Sequence, residues 1–452
     1  MNDESLQKAY TLLNRSVICC DGRPIGTAAV GDPDRPPAKN HGECFIRDFF
    51  VSGLVFLADG NPGIVRAFLL AVLDITEQEH ESTEASIHPS VMPASFRVVR
   101  GAGGSETLEG DFGDRAIGRV APVDSLFWWT WLLCVYVDAT GDVEITRQDD
   151  VQNNLERVLA LSANDAFEVF PTLMVPDGAF MVDRRMGVYG HPLEIQALFY
   201  RALRGALRFL TKSPENQRLV ACAEARAARL RDYVRKWYWI DLFRMRDIHR
   251  FPNEEFGKSG VNLHNIQPDA VPEWVAEWVG NDAGYFAGNL GPGRMDFRFF
   301  AQGNLLAILF GLATAEQTAA VMRLFESHWP ELIGQMPLKL CYPALEGEAW
   351  CLLTGGDSKN RPWSYHNAGN WPVLLWVFVA AALKTGNNAL AQRAYQLAAE
   401  RLEQDAWPEY YDGKSAGLIG RYANLNQTWT AAALILADKL LKGHPITPLL
   451  FV

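Results

Sequence analysis

The chain is 452 residues long, and hydrophobic and charged residues make up 48% and 21% of it. Both fractions are ordinary for a globular protein, which excludes disorder as the main state. Asp and Glu outnumber Lys and Arg by 53 to 42, and the resulting formal charge of -11 repels phosphate backbones, so we expect no nucleic-acid partner.

Apolar residues recur with the 3.6-residue period of a helix along most of the chain, and alternating strand patterns are scarce. In chain order, this periodicity predicts twelve helices, over residues 4–17, 44–58, 63–79, 122–139, 142–163, 190–211, 214–239, 295–313, 315–330, 366–385, 387–404 and 424–441.

The predicted helices are of two kinds. Those over 142–163, 214–239 and 387–404 are amphipathic and heavily charged on one face, so each should cover a core with one side only. Six others are apolar nearly all round and should be buried, and each begins with polar or aromatic residues. These six cover residues 44–58, 122–139, 190–211, 295–313, 366–385 and 424–441.

Alternating buried and surface helices predict an all-α fold, an (α/α)6 barrel with six inner and six outer helices and one rim decorated for binding. An α-solenoid is the alternative, but a solenoid usually shows a repeat of fixed period. Long connections over 80–121, 164–189, 240–294 and 331–365 should wall the rim, since long loops in a compact domain are usually functional. No linker divides the chain, so we expect a single domain over 1–452.

Cysteine usage and hydropathy indicate the compartment. The seven cysteines form no C-x-x-C pair, which argues against a zinc knuckle or a redox motif. The first residues are acidic and lack the apolar core of a signal peptide. The longest apolar run, Val373 to Leu383, has about half the length of a membrane-spanning helix. We expect a soluble cytoplasmic protein with no membrane partner, and a homo-oligomer is left open.

The helix starts on the rim are rich in carboxylates, amides and Trp, a composition that suggests a sugar site. Hydrolysis of a glycosidic bond needs two carboxyl groups on opposite sides of the bond. Asp183 precedes the third inner helix and Glu409 precedes the sixth, and these helices face each other in a ring of six. The two acids are therefore our candidate pair.

Each candidate also has a structural interpretation. Asp183 could pair with Arg184 or Arg185 in a turn, and Glu409 could be an ordinary loop acid. Other acids on the same rim compete for the role, namely Asp48, Asp111, Asp114, Asp124 and Glu194.

Other rim residues also have two interpretations. Asp48 could cap the first inner helix, because an acid there complements the helix dipole, or it could bind sugar hydroxyls together with Arg47. Among Trp128, Trp129 and Trp131 at least one should be core, and Trp363 and Trp371 are equally ambiguous. His191 and His366 are either structural or ligand-binding, and without a tight His/Cys cluster we expect no metal.

Five stretches of the sequence resemble the alkaline/neutral invertases, the sucrose hydrolases of glycoside hydrolase family 100. The resemblance extends from about residue 40 to 440, and the third stretch is long and specific. The stretches are FIRDFF, DFGDRAIGRVAPVDSLFWW, VPDGAFMVDRRMGVYGHPLEIQALFYRAL, YHNAGNWPVLLW and AWPEYYDG.

The resemblance implies an (α/α)6 barrel that cleaves sucrose with inversion and uses no metal or organic cofactor. By motif position, Asp183 matches the general acid and Glu409 the general base. We expect the substrate to be bound by Arg47, Asp48, Asp124, Trp128, His191, Glu194, Trp363, His366, Arg421 and Gln427. A sugar epimerase that uses His191 and His366, and a carbohydrate-binding protein without turnover, are the alternatives.

Overall fold

The computed structural model describes residues 3–31, 42–82, 91–101, 103–113, 115, 122–163, 170–175, 178–182, 184–243, 245, 271–291, 294–418 and 423–451. In these ranges the protein is mostly helical with some strands. The helices are α1 Asp3–Arg15, α2 Ile46–Ala58, α3 Pro62–Ser82, α4 Ser125–Thr140, α5 Asp149–Ala160, α6 Leu193–Phe209, α7 Gln217–Tyr233, α8 Glu273–Val279, α9 Ala301–Leu309, α10 Ala315–Ser327, α11 Trp329–Leu332, α12 Gly347–Thr354, α13 Leu375–Lys384, α14 Asn388–Arg401 and α15 Thr428–Leu441.

Six of the described helices form a closed ring in which each contacts the next: α2, α4, α6, α9, α13, α15 and back to α2. Their residues are buried on nearly every side, as the continuous apolar sequence of α4 and α13 requires. The other long helices pack outside them: α1 lies on α15, α3 on α2 and α4, α5 and α7 on α6, and α14 on α13 and α15.

Aromatic side chains fill the interior of the ring. The Trp131 ring on α4 lies 4.3 Å from Phe50 on α2, 4.7 Å from Phe310 at the end of α9 and 5.9 Å from Trp376 on α13, measured between centroids. Contacts at these separations stabilise a core beyond the effect of burial alone. The ring is therefore packed rather than open along its axis.

The strands correct the all-α prediction. They are β1 Val17–Cys20, β2 Arg23–Thr27, β3 Cys44–Phe45, β4 Ser95–Arg100, β5 Glu106–Asp111, β6 His191–Pro192, β7 Trp239–Ile240, β8 Tyr285–Gly291, β9 Arg294–Phe300 and β10 Cys341–Tyr342. Strands β4, β5 and β8 lie in segments that we predicted as loops, whereas β9 lies at the start of a predicted helix. The antiparallel pair β8–β9 joins β6 and β10 in one sheet. These strands connect or precede ring helices, so they lie near the helix starts.

Two predicted inner helices begin later than expected. The helix predicted from 295 begins at Ala301, because the preceding residues form β9, where Met295 pairs with Leu290 and Phe299 with Ala287. The helix predicted from 366 begins at Leu375 after a 3-10 turn, Pro372–Leu374. Ala368 has a φ of 67°, in the left-handed region that a helix excludes.

Candidate active site

Polar residues at the N-terminal ends of the ring helices form the site. Arg47 and Asp48 lie in the first turn of α2, Asp124 precedes α4, and Glu194 lies in the first turn of α6. The second residue of α9 is Gln302, and Gln427 directly precedes α15. Since neighbouring ring helices are in contact, these ends can come together.

Arg47 and Asp124 join α2 to α4. The Arg47 Nε–H donates to Asp124 Oδ2 at 2.6 Å, and the Nη2–H donates to Asp124 Oδ1 at 3.1 Å, so the ion pair is bidentate. Trp128 Nε1, one turn into α4, donates to the same Oδ2 at 3.0 Å. Asp124 is 1% exposed, so its charge depends on these donors for compensation. The pair fixes the orientation of both the guanidinium and the indole.

Glu194 joins α6 to α9. Its Oε1 accepts hydrogen bonds from the Met181 N–H at 3.3 Å and from Gln302 Nε2 at 3.2 Å. Burial raises the pKa of Glu194 to about 8, with the Asp124 carboxylate acting in the same direction and the Arg47 guanidinium against it. At neutral pH, Glu194 is therefore largely protonated and can donate a hydrogen bond.

Asp48 is a second carboxyl group with a shifted pKa. Burial raises the pKa of Asp48 to about 7; the Arg47 cation opposes this, while the Glu409 and Asp124 carboxylates act in the same direction as burial. The electrostatic effect of Glu409 on Asp48 places these two acids on the same end of the ring, on α2 and in the segment before α15. Perturbed carboxyl groups of this kind are typical of functional sites.

Among the residues that the structure describes, Asn424 is the hydrogen-bond partner of the Glu409 carboxylate. The Asn424 side-chain Nδ2 donates to Glu409 Oε2 at 3.0 Å and the Asn424 backbone N–H donates to the same oxygen at 3.4 Å. In return the Glu409 N–H donates to the Asn424 carbonyl at 2.8 Å. Glu409 is 8% exposed, so it is nearly buried but still reaches the surface of the site.

A small cavity lies between these groups and the packed interior of the ring. Arg47 and Gln302 are the polar residues of its lining, and the others are apolar or aromatic. The lining residues are Arg47, Val51, Trp128, Met181, Gln302, Leu306, Val373, Leu374, Trp376, Val377 and Trp429. Apolar walls with a few convergent polar groups are typical of small-molecule sites.

A family model described as alkaline and neutral invertase matches residues 9–444 of the sequence. The chain belongs to this family. Its members are glycoside hydrolases that cleave sucrose, so the chain is an enzyme of that class.

Individual relatives agree with the family match. Cytosolic invertase 1 of Oryza sativa subsp. japonica is 46% identical over 435 residues, which cover 96% of this chain and 77% of the relative. Alkaline/neutral invertase E, chloroplastic, of Arabidopsis thaliana is 45% identical over 444 residues, covering 97% of this chain and 72% of the relative. A solved structure titled as a wild-type glycosidase matches with a TM-score of 0.59 at 12% identity, over 98% of this chain and 97% of that chain. The latter similarity supports the fold alone.

Of the residues we predicted for an invertase site, six interact with one another at this end of the ring, namely Arg47, Asp48, Asp124, Trp128, Glu194 and Glu409. Arg47, Asp124 and Trp128 share one hydrogen-bonded group, and Arg47 and Asp124 act electrostatically on Asp48 and Glu194. Two predicted residues, the acid Asp183 and Arg421, lie outside the described residues.

The predicted aromatic and histidine residues lie farther along the rim segments. Trp363, with a φ of 65°, donates Nε1 to Glu346 Oε1 at 2.6 Å. The His366 ring stacks on Tyr365 at 3.8 Å, whereas the His191 ring packs edge-on against Phe170 at 6.2 Å. Their roles in substrate binding stay predictions.

Gln427 is 2% exposed, and within the described part of the chain its Nε2 has no hydrogen-bond partner. Its backbone forms a bridge with Val30, and its N–H donates to the Trp407 carbonyl at 2.9 Å. A buried amide donor without a protein partner is the kind of group that a polar ligand or a water satisfies. Its assignment to substrate binding stays a prediction.

Sequence reasoning missed three residues of the site, Gln302, Asn424 and Met181. Gln302 and Asn424 stand in the same kind of position as the residues it selected, at or just before the start of a ring helix. The polar start of each apolar helix was therefore the signal that could have found both. Met181 carries no such signal, because it contributes a backbone N–H and an apolar surface.

The described residues also bear on metal binding and membrane insertion. Over the described ranges, no group of three or more His, Cys, Asp or Glu side chains lies close enough to hold a metal ion. No helix in the same ranges has the length and hydropathy needed to cross a membrane.

Proposed function

We propose that the enzyme hydrolyses sucrose by a single displacement with inversion at the glucosyl carbon, with Asp183 as general acid and Glu409 as general base. The observation that carries this assignment is the setting of Glu409. It is a nearly buried carboxylate, held by Asn424, on the same ring end as the raised-pKa acid Asp48 and the cavity. The family match by motif position supports the assignment of both residues.

In the proposed reaction, the protonated Asp183 donates its proton to the bridging oxygen as the bond to the glucosyl carbon breaks. Glu409 accepts a proton from a water molecule, and the water oxygen forms the new bond to the same carbon on the opposite face. Fructose leaves with the proton of Asp183. Before the next turnover, Glu409 releases the proton it took to solvent and Asp183 takes one up from solvent. Met181, two residues before Asp183, lines the cavity, which supports a place for the acid near it.

The glucosyl unit would lie at this end of the ring, over the small cavity, with its hydroxyl groups against Arg47, Asp48, Glu194 and Gln302. A protonated Glu194 can donate a hydrogen bond to a sugar hydroxyl, while Asp124 accepts hydrogen bonds from Arg47 and Trp128. Trp128 is oriented by its bond to Asp124 and offers an apolar ring to the sugar.

We assign the fold to the (α/α)6-barrel class, as one catalytic domain over 1–452. The closed contact ring of six described helices with helices packed outside it supports the assignment. The functional end of the barrel would be the one where the ring helices begin.

The proposal includes a cytoplasmic location and sucrose as the small-molecule partner. All seven cysteines are free thiols, and the rice relative is named a cytosolic enzyme. The Arabidopsis relative is named a chloroplastic one, so cell fractionation with an antibody to the chain is the direct test.

Two variants, Asp183→Asn and Glu409→Gln, test the catalytic assignment. Each keeps size and hydrogen bonding but cannot exchange the proton, so we expect kcat with sucrose to fall by roughly 10²-fold or more. The control variants Asp232→Asn and Glu224→Gln, on the outer helix α7, should leave kcat unchanged. Near-native turnover by either site variant would contradict the role assigned to that residue.

A further inference from the structure

Backbone hydrogen bonds hold the segment before α15, and none of them involves the Asn424 side chain. Asn426 N–H donates to the Ala406 carbonyl at 2.8 Å, Gln427 N–H to the Trp407 carbonyl at 2.9 Å, and Glu409 N–H to the Asn424 carbonyl at 2.8 Å. Three backbone hydrogen bonds therefore tie the segment before Glu409 to the segment before the helix. Changing the side chain of Asn424 leaves all three in place.

The Asn424 side chain forms a hydrogen bond with the Glu409 carboxylate. Asn424 Nδ2 and the Asn424 backbone N–H both donate to Glu409 Oε2. In the described part of the chain, Glu409 Oε1 accepts no hydrogen bond. Two donors on one oxygen fix the rotation of the carboxylate and leave the other oxygen for a further partner.

We propose that Asn424 is a positioning residue for the reaction: it orients the Glu409 carboxylate so that Oε1 faces the attacking water, and it favours the ionised form of the base. This inference rests on the proposed role of Glu409. A hydrogen bond donated to a carboxylate stabilises its charged form and is worth more than a bond between neutral groups. Because the backbone N–H bond is longer, at 3.4 Å, the side-chain bond at 3.0 Å carries most of this effect.

Other charged groups also act on this carboxylate. From α2, Asp48 faces Glu409 with a like charge when ionised. Tyr410, the next residue in the chain, lies within electrostatic range of Glu409 as well as of Arg185 and Arg361. A base that shares its site with Asp48 and, in the proposed reaction, with Asp183 needs a neutral donor to favour its ionised form. An amide supplies that donor, whereas a further ionised carboxylate would disfavour the charge.

The experiment compares Asn424→Ala and Asn424→Asp with the parent enzyme on sucrose over a range of pH. For Asn424→Ala we expect kcat to fall roughly 10- to 100-fold with little change in KM, as for loss of a hydrogen bond to a charged group. The acid limb of the kcat profile should move to higher pH, because a carboxylate without its donor takes up a proton more readily. Asn424→Asp should move it further, since an ionised Asp cannot donate and repels Glu409.

Asn387→Asp is the matched control. Asn387 directly precedes α14, at the other end of the ring helices, where an acid suits the helix N-terminus. This variant should keep the parent kcat and pH profile, and circular dichroism should show that all three variants are folded. Parent-like kcat and an unmoved acid limb in both Asn424 variants would overturn the inference. A fall in kcat with an unmoved limb would also overturn it, because the residue would then only hold the loop.

Failure of the inference and failure of the proposed function give different results. If Glu409→Gln stays active, the base is wrongly assigned and the role of Asn424 is lost with it. If Glu409→Gln is inactive while both Asn424 variants resemble the parent, only the positioning role is wrong.

Discussion

Two carboxyl groups of the site, the buried Glu194 and the half-buried Asp48, hold protons at pH values where free carboxylic acids have lost them. Burial raises their pKa values to about 8 and about 7. A neutral carboxyl group suits a sugar site because it both donates and accepts hydrogen bonds, as a sugar hydroxyl does. The raised pKa values also lower the free energy of unfolding at high pH, because the ionised forms are disfavoured in the folded protein.

This loss of stability gives a prediction for Glu194→Gln. Folding raises the pKa of Glu194 from 4.5 to about 8, so its contribution to stability is fully present below about pH 4.5 and is lost as the pH rises through 8. Gln stays neutral and keeps an acceptor for Met181 and Gln302. We expect the melting temperature of the variant to fall less than that of the parent between about pH 5 and about pH 8.

Thermal unfolding followed by circular dichroism at several pH values measures this difference. Glu224→Gln on α7 is the control, since it should follow the parent. Parallel pH curves for Glu194→Gln and the parent would show that Glu194 is ionised in the folded protein throughout this range.

At the scale of the helices, glycine permits close approach within the ring. A Cβ at Gly205 on α6 would lie 2.6 Å from the Cys134 sulfur on α4, and one at Gly303 on α9 would lie 3.0 Å from the Glu194 nitrogen. Separations this short force one of the groups to move. Glycine at these positions therefore allows α6 to pack closely on both α4 and α9.

For Gly205→Ala we predict destabilisation of about 1–3 kcal/mol by overpacking against Cys134. Adding Cys134→Ala should restore much of the loss, because it removes the sulfur that the new methyl group meets. Gly63→Ala on α3, where a Cβ meets nothing within 4 Å, should be neutral or stabilising. Melting temperatures of the four proteins measure this, and a double variant no more stable than Gly205→Ala would contradict the stated cause.

The elements show how far sequence reasoning reaches. Helices such as α4 and α13 were predictable because their sequences are apolar on all sides, which only burial explains. The start of α9 was not, because the aromatic residues of MDFRFF fit a buried helix as well as a strand, and pairing with β8 decides between them. Likewise, nothing in the sequence marks the left-handed backbone at Tyr365 and Ala368, since neither is glycine.

The same limit applies to the site. The sequence placed Arg47, Asp48, Asp124 and Glu194 on one rim through their positions at helix starts. It could not show that Arg47 pairs with Asp124 or that Glu194 accepts from Gln302, because these partners depend on which ring helices are neighbours.

For the molecule as a whole, the packed interior of the ring closes the barrel axis next to the cavity. The cavity lining includes Leu306 and Trp376, and Trp376 in turn packs on the Trp131 and Phe50 rings of the interior. In the proposed binding mode, the glucosyl unit lies against this packed interior and has no room to extend further along the axis. The rest of the substrate must then extend toward solvent.

Raffinose, which carries galactose on the glucosyl 6-hydroxyl of sucrose, should therefore be a poor substrate. We expect a far lower kcat/KM for raffinose than for sucrose, measured as fructose release by the same enzyme preparation. Comparable values would mean that the enzyme binds the fructosyl unit at this position instead, and would contradict the roles given to Asp48 and Glu194.

In the proposed reaction, water attacks the glucosyl carbon directly, with Glu409 as its base and Asp183 as the acid. Such a pair leaves room for water when its carboxyl groups are about 6.5–9.5 Å apart. One displacement converts the α-linkage of sucrose into β-glucose. Proton NMR of the reaction at early times, before mutarotation, distinguishes one displacement from two. We expect the β anomer of glucose to appear first, whereas initial release of the α anomer would mean a covalent intermediate and would rule out direct attack by water.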